Sequence, residues 1–449
     1  MAEVIKTISF VDGSADFATV QAAWDSLPAD ITAAGTDENF IFEFISEGEI
    51  FEPGAGTAVL LAQTVAADSS HDIVFRRRNG IVDIFLKGKN TTYVVEFGPL
   101  SGTIQEFVKV LGVSLIDGLS RTIGLFSASN NLVHNCRMSG ATLLHLGFSG
   151  VDTQNNSFIG NLMQCGTLST GTFGKIHTNL IMEKNTIIAT GNAALAELAG
   201  FIFRKNFVHC SSSSFDFRSL TTSSLIENNT FIHNNASLQI GLGVGAGTTD
   251  VTFQHNLFIL NRAIRLANGC TGVKFFNNLF AGIEAGHGIN TNTAAEEVGF
   301  RSDGNAYVNE RRGISVGTRL FRRTALDIFD LATWQALTID GQSPDANSIE
   351  IVAAKNDLMQ SITPRLEYYR DSEKSGLKFP NVATGSAIHL AGVVPPTPST
   401  EDYYGNPRSA TNPSIGPVEE PIPVPETIKL LFPDIKTDID EAIDMEVAV

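Results

Sequence analysis

The run FDFRSL, residues 215–220, sets a register: with Phe215 and Phe217 turned inward, strand alternation turns Asp216 and Arg218 outward. One structural repeat earlier the matching outward positions are Leu195 and Glu197; one repeat later they are Gln239 and Gly241, with Arg265 beside them after a one-residue slip. Glu197, Asp216, Arg218, Gln239 and Arg265 are therefore expected to share one outer patch. Carboxyl groups on neighbouring strands, offset by two residues, have Cβ atoms roughly 8 Å apart. That lies within the ~6.5–9.5 Å at which an acid and a base work on a glycosidic bond with inversion. Any two surface residues so placed show the same distance, and Arg218 pairing with Glu197 would make an ordinary salt-bridged face. Glu197 and Asp216 stand as catalytic candidates, and Arg218, Gln239 and Arg265 as glycan-contact candidates, with no catalytic residue assigned.

Other chemistries lack their residues. Calcium takes several oxygen ligands at once, and no repeat supplies two carboxylates at i and i+2. Cys136, Cys165, Cys210 and Cys270 show no metal-ligand or redox spacing, which predicts buried free thiols and no metal site. No phosphate loop, HExxH or Gly-x-Ser-x-Gly is present, so no cofactor is expected. The net charge of −17 argues against unaided nucleic-acid binding, which needs a basic face. The first residues do not read as a signal peptide, and no run reaches the ~18 apolar residues of a membrane helix.

The candidates are positioned by a repeat. Asn156, Asn185, Asn206, Asn229, Asn256, Asn278 and Asn305 are each followed two residues later by an apolar or aromatic residue: Phe158, Ile187, Val208, Phe231, Phe258, Phe280 and Tyr307. Five residues before each stands an apolar residue, except at Ser224. Units of this size mark a solenoid. Stretches such as VTFQHNLFI alternate and are rich in Val and Phe, so the coils are strands. The consensus of a leucine-rich solenoid and the period of a hexapeptide one are both missing. Asn tolerates the left-handed backbone of a bend, and amides stacked at the ~4.8 Å strand spacing can bond up the solenoid. With 30 Phe in the chain, the interior is expected to hold stacked rings.

These Asn corners with inward aromatic stacks resemble the right-handed parallel β-helix, pectin-lyase-like group, found in polysaccharide enzymes and phage tail spikes. Gly286-His287-Gly288 resembles a fragment of the polygalacturonase motif, but the paired aspartates that accompany that histidine are missing, and the register turns His287 inward. The resemblance to pectate lyases stops at the fold.

Phe17, Val20, Ala23, Trp24 and Leu27 give one helical face, with Asp16 as N-cap and Pro28 as stop. Such a helix would cover the otherwise unpaired edge of the first coil. Weaker strand signals fill 39–129, and Asn135 is expected to start the regular ladder. A second helix is read over Ala325 to Leu337. LATWQALTIDGQSPDANSIE, GSAIHLAG and DYYGNPRSATNPSIGPVE resemble the closing segment of bacterial and phage β-helix proteins, with Gly416-Pro417-Val418-Glu419 where that pattern ends in Gly-Ala-aromatic-Glu. Pro421, Pro423 and Pro425 then predict an extended linker. Beyond it Leu431, Ile435, Ile439 and Ile443 recur every fourth residue among acids, a stripe suited to docking on another subunit.

The expected fold is all-β: a right-handed parallel β-helix solenoid with a short N-terminal capping helix, a C-terminal cap and an extended tail. The expected divisions are 1–38 (N-terminal strand and capping helix), 39–320 (parallel β-helix), 321–416 (C-terminal cap) and 417–449 (Pro-rich acidic tail). The functional expectation is a structural or surface protein of a bacteriophage particle, a decoration, spike or tail component, non-enzymatic and homo-oligomeric as a trimer. It would meet other virion proteins through Leu431, Ile435, Ile439 and Ile443 and contact neither nucleic acid nor membrane; its location would be the virion. The alternatives are a polysaccharide hydrolase or lyase and a non-catalytic carbohydrate-binding module, either of them extracellular.

Overall fold

A computed structural model describes most residues between 2 and 351, then 359–360, 381–382 and 387–419; the stretches of seven or more outside it are 98–104, 241–247, 282–288, 309–320, 352–358, 361–380 and 420–449. The chain is a parallel β-solenoid. Its first face is a twelve-stranded sheet running from Ala2–Ile8 and Glu38–Phe44 down to Arg301–Asp303, each strand hydrogen-bonded to the equivalent strand of the next coil. On the second face Thr186–Ala189, Phe207–Cys210, Thr230–His233, Leu257–Leu260, Leu279–Ala281 and Ala306–Val308 pair in the same way. The third face carries Ala193–Ala199, Phe215–Thr221, Leu238–Ile240, Ile264–Leu266, Ile289–Thr291 and Phe321–Arg323.

The corner between the first two faces holds an amide ladder. Asn161, Asn185, Asn206, Asn229, Asn256, Asn278 and Asn305 are all buried, and each Nδ2 donates to the Oδ1 of the next at 2.9–3.1 Å. From Asn161 on, Nδ2 also donates to a carbonyl one coil back, as Asn161 does to Val133 at 3.0 Å and Asn229 to Phe203 at 2.8 Å. Inside the ladder, rings stack: Phe231, Phe258, Phe280 and Tyr307 follow at centroid distances of 5.1, 5.2 and 4.9 Å.

Two expectations about this corner need correction. The left-handed residue is the one before the ladder amide, namely Gly160, Lys184, Lys205, Asn228, His255, Asn277 and Gly304, and none of the ladder amides is itself left-handed. Asn156 belongs to a different corner, where it accepts from Asn131 Nδ2 at 3.1 Å, and Phe158 stacks on the first face between Val133 and Met182. Asn161 opens the ladder; Asn135 is a left-handed residue outside it, followed by Cys136, whose backbone N–H donates to Asn161.

Helix α1 (Val20–Asp25) covers one end, with Trp24 fully buried 6.4 Å from the Phe75 ring. Its N-cap is Thr19 and not Asp16, which accepts instead from the Thr7 backbone at 2.7 Å. Helix α2 (Leu331–Gln335) is shorter than read from the sequence: Leu326–Ile328 is a strand antiparallel to Phe321–Arg323, and the helix starts only where the Asp330 side chain caps Thr333 N–H. Leu326 and Phe329 are accordingly exposed, while Trp334 stacks on Phe321 at 4.5 Å.

Residues 387–419 form a strap that runs back up the solenoid along the ladder corner. Ile388, Ile415 and Val418 pack on the outward side chains Leu257, Leu279, Ala306 and Val308 of the second face, giving that sheet a core on each side. Buried Asp402 ties the strap to itself, accepting from Tyr404 N, Asn406 N and Glu419 N at 2.8–3.0 Å. Glu419 forms a buried pair with Arg408 at 2.9 Å, and Arg408 also donates to Asn228 at 2.6 Å.

Candidate functional site

On the third face Ala194, Asp216, Gln239, Arg265, Asn290 and Arg322 pair from strand to strand in one unbroken row. At the ~4.8 Å strand spacing, Asp216 and Arg265 are two steps apart on that row. Three of the expected patch residues, Asp216, Gln239 and Arg265, are thus brought together. Arg265 aligns with Gln239 directly, without the slip read from the sequence. Arg218 lies two residues along from Asp216, opposite Ala196.

Glu197 does not join this row. Leu195 aligns with Phe217 and is buried, so the strand is shifted by one from the expected register. Glu197 falls opposite Ser219, and both are left-handed, with φ of 59° and 49°. A left-handed residue inside a strand re-aims its side chain and breaks the alternation from which Glu197 was placed. The expected acid pair across two coils is not assembled in that register.

The Asp216 side chain is 2% exposed. Its Oδ2 accepts from Arg218 Nε at 3.1 Å and from Arg218 Nη2, while Oδ1 has no hydrogen-bond partner. A carboxylate taken out of water needs such a cation beside it. Further along, Arg265 is exposed, Asn290 is buried with Oδ1 unpartnered, and Arg322 Nε stands 3.8 Å from Asp327. Asn290 and Arg322 were missed from the sequence, although alternation in INT and FRR would have placed both outward. Beside the row, Arg323 donates Nε and Nη2 to Glu297 at 2.8 Å each, and this pairing raises the Arg323 pKa.

His177 and the four cysteines lie in the core of the coils. His177 is buried against Thr153, and desolvation lowers its pKa to about 3. The four cysteines are buried free thiols, and burial pushes Cys136 to about 11 and Cys165 to about 12. Among the described residues no group of three His, Cys, Asp or Glu is placed to hold a metal ion, and no helix is long and apolar enough to cross a membrane. A cleft of about 280 Å³ near the second cap is lined by Phe276, Arg301, Asp303, Pro344 and Pro396, among others. His287 and the stripe Leu431, Ile435, Ile439 and Ile443 lie outside the described residues.

No family model matches the chain, and no curated protein matches it.

Proposed function

We propose that this chain is a structural or surface protein of a bacteriophage particle, a decoration, spike or tail component, that assembles as a homotrimer. The observation that carries the reading is the fate of the best acid candidate: Asp216 is buried against Arg218 in its own strand, and Glu197 sits off the row on a left-handed residue. The acids serve the coil. A solenoid with a continuous amide ladder, stacked rings, two end-covering helices and a strap is a stiff rod, the form that display on a particle requires. The virion assignment draws on the resemblance of the coils and closing segment to the pectin-lyase-like group that includes tail spikes. Mass spectrometry of purified particles from the source tests it: recovery of the chain at stoichiometric abundance supports the reading, and its absence from particles overturns it.

A second reading, glycan recognition without cleavage, is favoured by the row itself. Arg265 is exposed and stands in register between Gln239 and Asn290, so the row presents a guanidinium flanked by two amide residues. Binding of bacterial polysaccharides that is lost in Arg265→Ala would support it, and release of reducing ends would favour a hydrolase instead.

A further inference from the structure

The strap lies on a corner built from one left-handed residue per coil: Lys205, Asn228, His255 and Asn277. Each of the four meets it. Lys205 pairs with Glu401 at 2.8 Å, Asn228 Nδ2 donates to the Glu401 carbonyl at 2.8 Å, and Asn277 exchanges two hydrogen bonds with the Val393 backbone at 2.6 and 2.8 Å. His255 is the one imidazole among them, a group whose ordinary pKa lies near neutral. Its Nδ1 lies 3.2 Å from the Ser414 carbonyl oxygen and must therefore carry the proton, and its Nε2 lies 3.4 Å from Asn277 Nδ2 and must accept. The Asn277 amide cannot turn over to receive a second imidazole proton, because both its ends are fixed by Val393. The neutral ring is the form that satisfies both of these contacts, although the Ser414 and Gly416 carbonyls pull its pKa upward.

The charges around the ring oppose its protonation as well. Arg408, reaching in from the strap, acts directly on it with like charge, and Glu419, Asp402 and Glu227 face Arg408. Burial and Arg408 together hold His255 well below the usual imidazole range.

We infer that the strap is an acid-released latch: His255 is its proton sensor, and residues 387–419 are the part that lifts from the ladder corner. A lifted strap returns the ring to water, where it takes up a proton near pH 6.5, so the lifted state gains from every fall in pH below that value. The opening equilibrium constant rises about tenfold per pH unit. Lifting uncovers Leu257, Leu279, Ala306 and Val308, an apolar stripe that neutral pH keeps covered. Lys205, itself buried, lowers the pKa of the exposed Glu401, so that pair weakens in the same direction, but only below about pH 4.5, where a carboxylate begins to protonate.

Hydrogen exchange of the full chain between pH 7.5 and 4.5, expressed as protection relative to intrinsic rates, tests the latch in the wild type, His255→Asn and Glu401→Gln. Asn already occupies the same left-handed position at Asn228 and Asn277, so the first variant suits the backbone. The expected result is roughly a hundredfold loss of strap protection from pH 6.5 to 4.5 in the wild type and in Glu401→Gln, a nearly flat response in His255→Asn, and first-face amides that stay better protected than the strap at every pH. An equally steep fall in His255→Asn, a flat response in Glu401→Gln, or strap protection equal to that of the first face overturns the inference. If His255→Asn leaves the strap unprotected at pH 7.5, the NMR titration of the wild-type ring decides: protonation that tracks strap opening supports the latch, and protonation under a protected strap refutes it.

Discussion

Asn305 Nδ2 donates to Asp345 Oδ1 at 2.8 Å, so the amide ladder ends on a buried carboxylate. The same group accepts from Ser348 Oγ at 2.6 Å, Trp334 Nε1 at 2.8 Å and Tyr307 OH at 3.1 Å. Asp345 thus ties the last rung, the last ring of the inner stack and helix α2 to one point. Burial raises its pKa, and the donors, Asn305 foremost, oppose that shift.

Asp345→Asn should therefore destabilise the protein by about 2–4 kcal/mol, because an amide brings a donor to a site already filled with donors. Asp345→Leu should cost at least as much. Urea unfolding of both variants checks this, and a loss below ~0.5 kcal/mol in both would mean that the ladder needs no terminus.

Within the ladder, Asn229→Leu should cost about 2–4 kcal/mol, since the Asn206 amide and the Phe203 carbonyl lose partners while buried. Asn412→Leu, on an exposed strap position, is the comparison and should fall within about 0.5 kcal/mol of wild type. Equal thermal melts would show that the stacked amides contribute nothing beyond their turns.

Arg218→Met should destabilise by about 1–3 kcal/mol by leaving Asp216 buried without its cation; the lower part of the range for broken buried pairs applies because the guanidinium is 38% exposed. Adding Asp216→Leu should recover most of the loss. A double variant no more stable than Arg218→Met would mean that Asp216 has another role in the row.

His177 gives a pH dependence whose sign can be worked out. Its folded pKa, about 3, lies below the unfolded value near 6.5, so the unfolded chain binds the extra proton between them. The contribution is complete above pH 6.5 and is lost as pH falls toward 3, by about 1.4 kcal/mol per unit. Between pH 7 and 4.5 the wild type should lose about 2–3 kcal/mol more than His177→Gln does over the same interval. Parallel pH profiles of the two proteins would contradict this.

The stripe Leu431, Ile435, Ile439 and Ile443 leads to a prediction about assembly. Deleting residues 420–449 should reduce mass in solution and incorporation into particles, because each of these side chains offers ~1.5–3 kcal/mol only when buried in a partner. Light scattering and particle composition measure both, and unchanged values would leave the stripe without an assembly role.

Periodicity showed the solenoid because a coil must bury an apolar residue on either side of its corner, and Phe253, Phe258, Phe275 and Phe280 do so at fixed offsets from Asn256 and Asn278. The finer register was not legible. Asn156 and Asn161 flank a three-residue strand, so both ends of that strand carry asparagine, and only the hydrogen bonds tell the inner ladder from the other corner. The left-handed turns at Glu197 and Ser219 hide in the sequence because neither residue is one that usually marks such a backbone. The strap was legible as a closing segment, but its path along Lys205, Asn228, His255 and Asn277 depends on side-chain pairs 116 to 196 residues apart, beyond any local pattern.

That path also makes the strap a gauge of the rod. The amide ladder alone tolerates gain or loss of a whole coil, because any new rung meets the same Asn above and below. The strap does not: its contacts with four successive corners are spaced by its own sequence, and one coil removed between Lys205 and Asn277 would put Glu401, Arg408 and Val393 out of step by ~4.8 Å. Length is thereby fixed over this part of the solenoid, and coils are free to be added or lost only above Lys205, where the gauge no longer measures.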